Sequence, residues 1–234
     1  MQSLINKLIW TLSKKTHKVI VLGLPKTGTS TLAVMLRMLN YKVTGPDDKY
    51  TNGDTVFLDE RFESYDGFQD FPWCFEWKRF LDDERTKFII LKRDRSSWWT
   101  SFYNSYGRKD KRYLSYPFMK IDKKLENEPK FLDFFESYYS EVEQQANRFP
   151  ERFLSVNISE FEWEDLCMFL DEKLPKTIWG HVVKKPHVNK QKHKTAQTRS
   201  YKISNQLKKK ISGLIGKENW RQLIIFLRKN GIIN

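Results

Sequence analysis

The sequence predicts an α/β fold of three layers, a central parallel sheet with helices on both faces, and three observations carry that prediction. First, Val19-Ile20-Val21-Leu22 and Phe88-Ile89-Ile90-Leu91 are short, continuous apolar runs. Such runs are the mark of strands covered on both faces rather than on one. Second, each run leads within a few residues into a segment with helical apolar spacing, Thr31 to Leu39 after the first and Ser96 to Tyr106 after the second. Parallel strands need crossover connections of this kind, most often helices. Third, a turn bounded by glycines, Gly23 to Gly28, joins the first strand to its helix. A chain of 234 residues is long enough for one such domain with a sizeable core.

Taken in order, the pattern predicts a strand over 18–23, a helix over 29–39 and a short strand near 42–43. A loop rich in Gly, Asp and Asn follows from Gly45 to Asp54, and irregular structure is expected from there through Pro72. A helix is predicted over 75–82, a strand over 87–92 and a helix over about 96–106. The basic stretch Gly107 to Arg112 reads as an exposed loop. Phe131, Phe134, Phe135, Tyr138, Tyr139 and Val142 share one face of a long helix over about 129–147, which marks that face for the core. A strand at 153–156 and a helix at 163–170 complete the predicted body. No internal repeat or low-complexity linker interrupts it.

The turn Gly23-Leu24-Pro25-Lys26-Thr27-Gly28-Thr29-Ser30 is the strongest chemical signal. Backbone N–H groups converge at a helix N-terminus and the helix dipole favours negative charge, so the natural occupant is an anion, phosphate above all. The nucleoside triphosphatase form of such a loop reads G-x-x-x-x-G-K-[ST], its lysine reaching the β/γ-phosphates and its hydroxyl a Mg²⁺ ion. Here Thr29 stands where that lysine would be, and Lys26 sits three residues earlier on the rim of the loop. Pro25-Lys26-Thr27-Gly28-Thr29-Ser30 resembles instead the P-K-[ST]-G-T-[TS] loop of sulfotransferases. In that family the loop holds the 5′-phosphosulfate of 3′-phosphoadenosine 5′-phosphosulfate (PAPS). The resemblance implies a P-loop-type fold, PAPS as sulfuryl donor, 3′-phosphoadenosine 5′-phosphate (PAP) as product and no metal. Pro25, Lys26, Thr27, Gly28, Thr29, Ser30 and Thr31 are then the expected 5′-phosphate residues.

Arg93, at the end of the second apolar strand, and Ser101, eight residues on, resemble the arginine–serine pair that binds the 3′-phosphate in the same family. The chemistry suits them, since a guanidinium gives forked, charge-assisted bonds to phosphate and a hydroxyl adds a donor. The spacing gains meaning because both strand ends of a parallel sheet open into one crevice. Trp163-Glu164-Asp165-Leu166-Cys167-Met168-Phe169-Leu170 with Pro186-His187-Val188-Asn189 extends the likeness, as do Tyr65-Asp66, Asp70-Phe71-Pro72 and Trp77-Lys78. It covers roughly 18–193. The expected organisation is one domain over 1–234, a core of about 18–193 and a basic, helical C-terminal extension of about 194–234.

Sulfuryl transfer requires that the leaving phosphate be neutralised and the acceptor's proton removed. Lys26 is the candidate for the first role. For the second, cytosolic sulfotransferases use a histidine in an H-L-P segment upstream of the 3′-phosphate arginine; this chain has Asp70-Phe71-Pro72 in that place. Asp70 is therefore the first candidate base, although an aspartate of ordinary pKa, about 3.9, accepts protons poorly unless desolvated. Glu60, with Asp59 beside it, is the second. His181 and His187 are expected to be structural or close to the donor.

The composition narrows the remaining classes. Cys74 and Cys167 stand in unrelated contexts, which points away from a disulfide framework or zinc site and towards a reducing, cytoplasmic setting. The segment from Leu4 to Leu12, interrupted by Asn6 and Lys7, is too short to span a bilayer. The net charge of +13 lies wholly in the last fifth: from Lys184 onward there are fourteen Lys/Arg against one acid, Glu218. Such a region can close over an anionic donor, contact an acidic acceptor, or touch a membrane surface or nucleic acid. A small-molecule or carbohydrate acceptor is the expected partner, with no DNA or RNA. The alternatives are a P-loop kinase or NTPase, with Asp94 as the nearest thing to a Mg²⁺-holding aspartate, and a non-catalytic binder of nucleic acid or anionic lipid.

Overall fold

In the computed structural model the described residues are 15–51, 53–107, 125–177, 179–186, 213 and 216–230. Five parallel strands form one sheet in the order β2-β3-β1-β4-β5: β1 is Lys18–Leu22, β2 Val43–Thr44, β3 Gly67–Gln69, β4 Thr86–Lys92 and β5 Phe153–Asn157. Seven helices are described: α1 (Thr29–Met38), α2 (Thr55–Ser64), α3 (Trp73–Glu76), α4 (Arg95–Phe102), α5 (Glu128–Arg148), α6 (Trp163–Leu170) and α7 (Lys217–Lys229).

The three-layer arrangement follows from the alternation of side chains along the central strands. Ile20 and Leu22 of β1, with Phe88 and Ile90 of β4, face one core, which holds Trp73, Trp77, Trp98 and the Phe131, Phe135 and Tyr139 stripe of α5. Val19 and Val21, with Ile89 and Leu91, face the other, packed by Leu32, Met35 and Leu36 of α1 and Leu166 and Leu170 of α6. All eight strand residues are fully buried. At about 1.5–3 kcal/mol for each large apolar side chain removed from water, this double burial is what makes the runs continuous rather than alternating.

Several elements depart from the sequence expectation. Residues 55–64, expected to be irregular, form α2; Asp54 caps it by accepting a hydrogen bond from Phe57 N at 3.0 Å. Only Leu58 and Phe62 of this helix are buried, so its apolar stripe is too thin to see in the sequence. Gly67–Gln69 is a strand although it was expected to be irregular, because pairing with β2 on one side and β1 on the other holds it extended. The helix expected over 75–82 starts at Trp73 and tightens into a 3₁₀ turn over Trp77–Phe80. The one expected over 96–106 is α4, continued by a π turn over Tyr103–Gly107. The loop after Gly107, the segment His187-Val188-Asn189 and the residues before position 15 lie outside the described residues. Helix α7 packs on α1, with Ile225 in the α1 core and Lys229 Nζ donating to the Met38 carbonyl at 3.5 Å. Among the described residues no helix is long and apolar enough to cross a membrane.

Gly45 joins β2 to the end of β3 at close quarters. Its φ is +98°, and a Cβ there would lie 1.8 Å from the Gln69 carbonyl oxygen. Gly45→Ala should therefore displace the end of β3 and cost at least about 2 kcal/mol of stability. Thermal unfolding measures it, and a variant as stable as the parent contradicts this close approach.

Candidate active site

The carboxyl ends of β3, β1, β4 and β5 open into one cavity of about 980 Å³. The cavity gathers Pro25 to Thr31 after β1, Asp70 directly after β3, Arg93 and Ser101 after β4, and Asn157 to Ser159 at and after the end of β5. Because the sheet is parallel, these four connections all leave from the same edge. Of the residues singled out in the sequence, the structure brings every one of the phosphate-loop set, Arg93, Ser101 and Asp70 to this cavity. It does not bring Glu60, which is exposed on α2 and absent from the lining; Asp59 beside it is held by Arg79 at 2.7–3.0 Å. His181 is exposed and also outside the lining.

The glycine loop is built by two left-handed residues, Lys26 (φ 78°) and Gly28 (φ 111°). A Cβ at Gly28 would come within 2.8 Å of Ile158 Cγ2, so the β5 connection lies directly against the loop. Thr27 borders the cavity but is 1% exposed, and both its N–H (3.2 Å) and its hydroxyl (2.8 Å) donate to the Leu24 carbonyl. Thr31 N donates to the Gly28 carbonyl at 2.9 Å. The expected 5′-phosphate residues therefore offer fewer amides than their number suggests, since those of Thr27 and Thr31 are committed to shaping the turn. No side chain caps α1, and the Gly28 and Thr29 N–H groups take no part in the loop's own hydrogen bonds. An uncapped helix start is an anion site in waiting.

Two cations line the same cavity. The half-buried Lys26 ammonium and Arg93 guanidinium make no ion pair among the described residues. Burial, and then the charge of Arg93, hold the Lys26 pKa below the usual lysine range. Arg93 donates to the Lys26 carbonyl at 2.5 Å, which ties the guanidinium to the loop. Ser101, 9% exposed, adds a hydroxyl from the second turn of α4. Asp94 is the N-cap of α4 and accepts from Ser97 N at 2.8 Å, which keeps its carboxyl below the usual range. That task accounts for the aspartate which a Mg²⁺-dependent reading would need. Among the described residues no cluster of three or more His, Cys, Asp or Glu is placed to hold a metal.

Asp70 closes the cavity on the β3 side. Its φ of 65° is left-handed, a conformation Asp tolerates better than most residues. Oδ1 accepts from Phe71 N at 3.0 Å. Burial raises its pKa to about 6 and Asp48 adds to the rise, against the Phe71 hydrogen bond. The turn is anchored by the buried Asp47, whose N–H donates to the Phe71 carbonyl at 2.8 Å and whose carboxylate accepts from Trp73 Nε1 (2.8 Å) and Thr44 Oγ1 (2.9 Å). Sequence reasoning missed the other lining residues, among them Asn104, Tyr106 and Ser159. Those after β5 had a signal, because every strand end of a parallel sheet opens onto the same crevice.

Fold and site together define an α/β protein with a crevice at the carboxyl edge of a parallel sheet, lined by two cations and the start of α1. Residues 18–194 match the sulfotransferase domain family, and the chain belongs to that family. It is also 25% identical over 211 residues to Ava biosynthesis cluster protein M of Aspergillus versicolor, covering 70% of this chain and 80% of that protein.

Proposed function

We propose that this chain is a PAPS-dependent sulfotransferase acting on a hydroxyl or amine of a small-molecule or carbohydrate acceptor. The observation that carries it is the meeting, in one cavity, of Lys26 and Arg93, two cations that make no ion pair among the described residues, with an uncapped helix start and Asp70. The donor fits these residues: the Gly28 and Thr29 amides with Lys26 suit a 5′-phosphate, and Arg93 with Ser101 a 3′-phosphate. At about 980 Å³ the cavity is at the upper end of the ~300–1,000 Å³ of ordinary ligand sites, in keeping with a nucleotide and an acceptor together.

PAPS supplies a sulfuryl group whose bond to the 5′-phosphate oxygen breaks as the acceptor oxygen or nitrogen bonds to sulfur. Lys26 stabilises the charge that gathers on that leaving oxygen, and the loop amides fix the phosphate in line. Asp70, ionised above about pH 6, takes the acceptor's proton. The name of the Aspergillus versicolor relative, a biosynthesis cluster protein, favours a small-molecule acceptor. The buried, unpaired thiols of Cys74 and Cys167 favour a reducing, cytoplasmic setting. The packing of α7 on α1 favours a single domain that includes the C-terminal extension.

Calorimetry without divalent metal tests the donor. PAP should bind about 10–100-fold more tightly than AMP, because AMP leaves Arg93 and Ser101 without a phosphate, a loss of about 1.5–3 kcal/mol. Equal affinity for the two would remove the 3′-phosphate assignment. Tight ATP binding that requires Mg²⁺ would favour a kinase or NTPase, and salt-sensitive nucleic-acid or lipid binding that survives Lys26→Ala would favour a non-catalytic role.

A further inference from the structure

A loop can present N–H groups to an anion only if its carbonyl oxygens are turned away, since a carbonyl facing the same point repels the charge that the amides attract. In the turn at Pro25 and Lys26 this is not left to the backbone alone. Pro25 has no N–H, and Lys26 stands in the left-handed region that side chains rarely adopt. The peptide between them needs something to hold its orientation, and the Pro25 carbonyl accepts a hydrogen bond from Trp98 Nε1 at 2.9 Å.

Trp98 is fully buried. An indole N–H in that position is costly without an acceptor, so donor and carbonyl hold each other in place. The ring itself is fixed from two sides, its centroid 5.3 Å from Phe102 of α4 and 4.7 Å from Phe135 of α5. The same α4 carries Ser101, and Arg93, just before it, holds the next carbonyl, that of Lys26. Neither Trp98 nor its hydrogen bond is needed to explain the cavity's lining, which it does not join.

On the reading of the site as a PAPS site, we infer that Trp98 is a positioning residue for the 5′-phosphate loop: by holding the Pro25 carbonyl out of the cavity from α4, it aims the loop amides at the anion and sets the distance between the two phosphate subsites. It touches neither donor nor acceptor and acts through the loop.

The test separates the 5′-phosphate's contribution from everything else by titrating two probes, PAP and adenosine 3′-phosphate, which differ only in that group. In the wild type PAP should bind more tightly. In Trp98→Phe the ratio of the two affinities should fall about 5–20-fold while the affinity for adenosine 3′-phosphate stays unchanged. Trp99→Phe is the control: Trp99 is buried in the same aromatic cluster but makes no hydrogen bond to the loop, so its ratio should match the wild type whatever happens to stability. Should Trp98→Phe fold poorly, replacement of Trp98 by the benzothiophene analogue of tryptophan keeps the ring and removes only the N–H, with the same expected fall. A ratio that does not change, or equal weakening of both probes, would overturn the positioning role while leaving the donor assignment in place. A wild type that binds neither probe would overturn the donor assignment itself, and the role of Trp98 with it.

Discussion

Asp70→Asn should lower turnover by about 10²–10⁴-fold, leave PAP affinity intact and make the protein more stable at neutral pH. Asparagine keeps the shape, accepts the left-handed backbone and can retain the hydrogen bond from Phe71 N, but it cannot take a proton. The gain in stability follows from the direction of the pKa shift. In the unfolded chain the carboxyl ionises near 3.9, whereas in the fold it keeps its proton to about 6. Between those values the native state holds more protons, so the wild type loses stability as pH rises through the window and stays penalised above it. At pH 7.5 the variant should be the more stable by about 2–3 kcal/mol, and at pH 3.5 the difference should vanish. Thermal unfolding at the two pH values reads this, and the pH profile of turnover should lose its acid limb near 6. An acceptor amine that arrives already neutral would make the catalytic loss much smaller, so the variant also reports on acceptor class. Full activity on an alcohol, together with loss of activity in Glu60→Gln, would transfer the role to Glu60.

Lys26→Ala should lower turnover by about 10²–10³-fold and weaken PAP binding by no more than about tenfold. The asymmetry follows from the proposed donor site, in which the Gly28 and Thr29 amides and the α1 dipole would already hold the ground-state phosphate. The lysine's charge is worth most when the leaving oxygen gains charge. The half-buried position and the neighbouring Arg93 make that charge costly, an arrangement suited to an anion that restores the balance. Steady-state kinetics with direct PAP titration separates the two effects. Unchanged turnover with only a raised KM would make Lys26 a binding residue alone.

Much of this was legible in the chain because local patterns carry it. Val19 to Leu22 and Phe88 to Leu91 read as doubly covered strands because both faces of each are buried, and the α5 stripe from Phe131 to Val142 read as a core face because its spacing is helical. Gly28 and Lys26 could be placed on a tight loop because the turn between a strand and a helix start has few solutions. Helix α2 and strand β3 were not legible. One buries only Leu58 and Phe62, and the other is three residues long and starts with glycine, so their states are set by neighbours distant in sequence.

The sequence by itself determined the fold class, the family likeness and the residue types that an anion site needs, since strand burial, glycine turns and helix starts are written within a few consecutive residues. Only the tertiary structure decided which of those residues meet. The order β2-β3-β1-β4-β5 sets β3 beside β1, which brings Asp70 to the cavity, while Glu60 lies exposed on α2 and outside it. The burial that lifts the Asp70 pKa, the hydrogen bonds that withdraw the Thr27 and Thr31 amides and the Trp98 bond to the Pro25 carbonyl were likewise beyond the sequence. The physical reason is common to all of them: desolvation and hydrogen bonding depend on atoms brought within a few ångströms by chain segments far apart in sequence, and no local pattern records that distance.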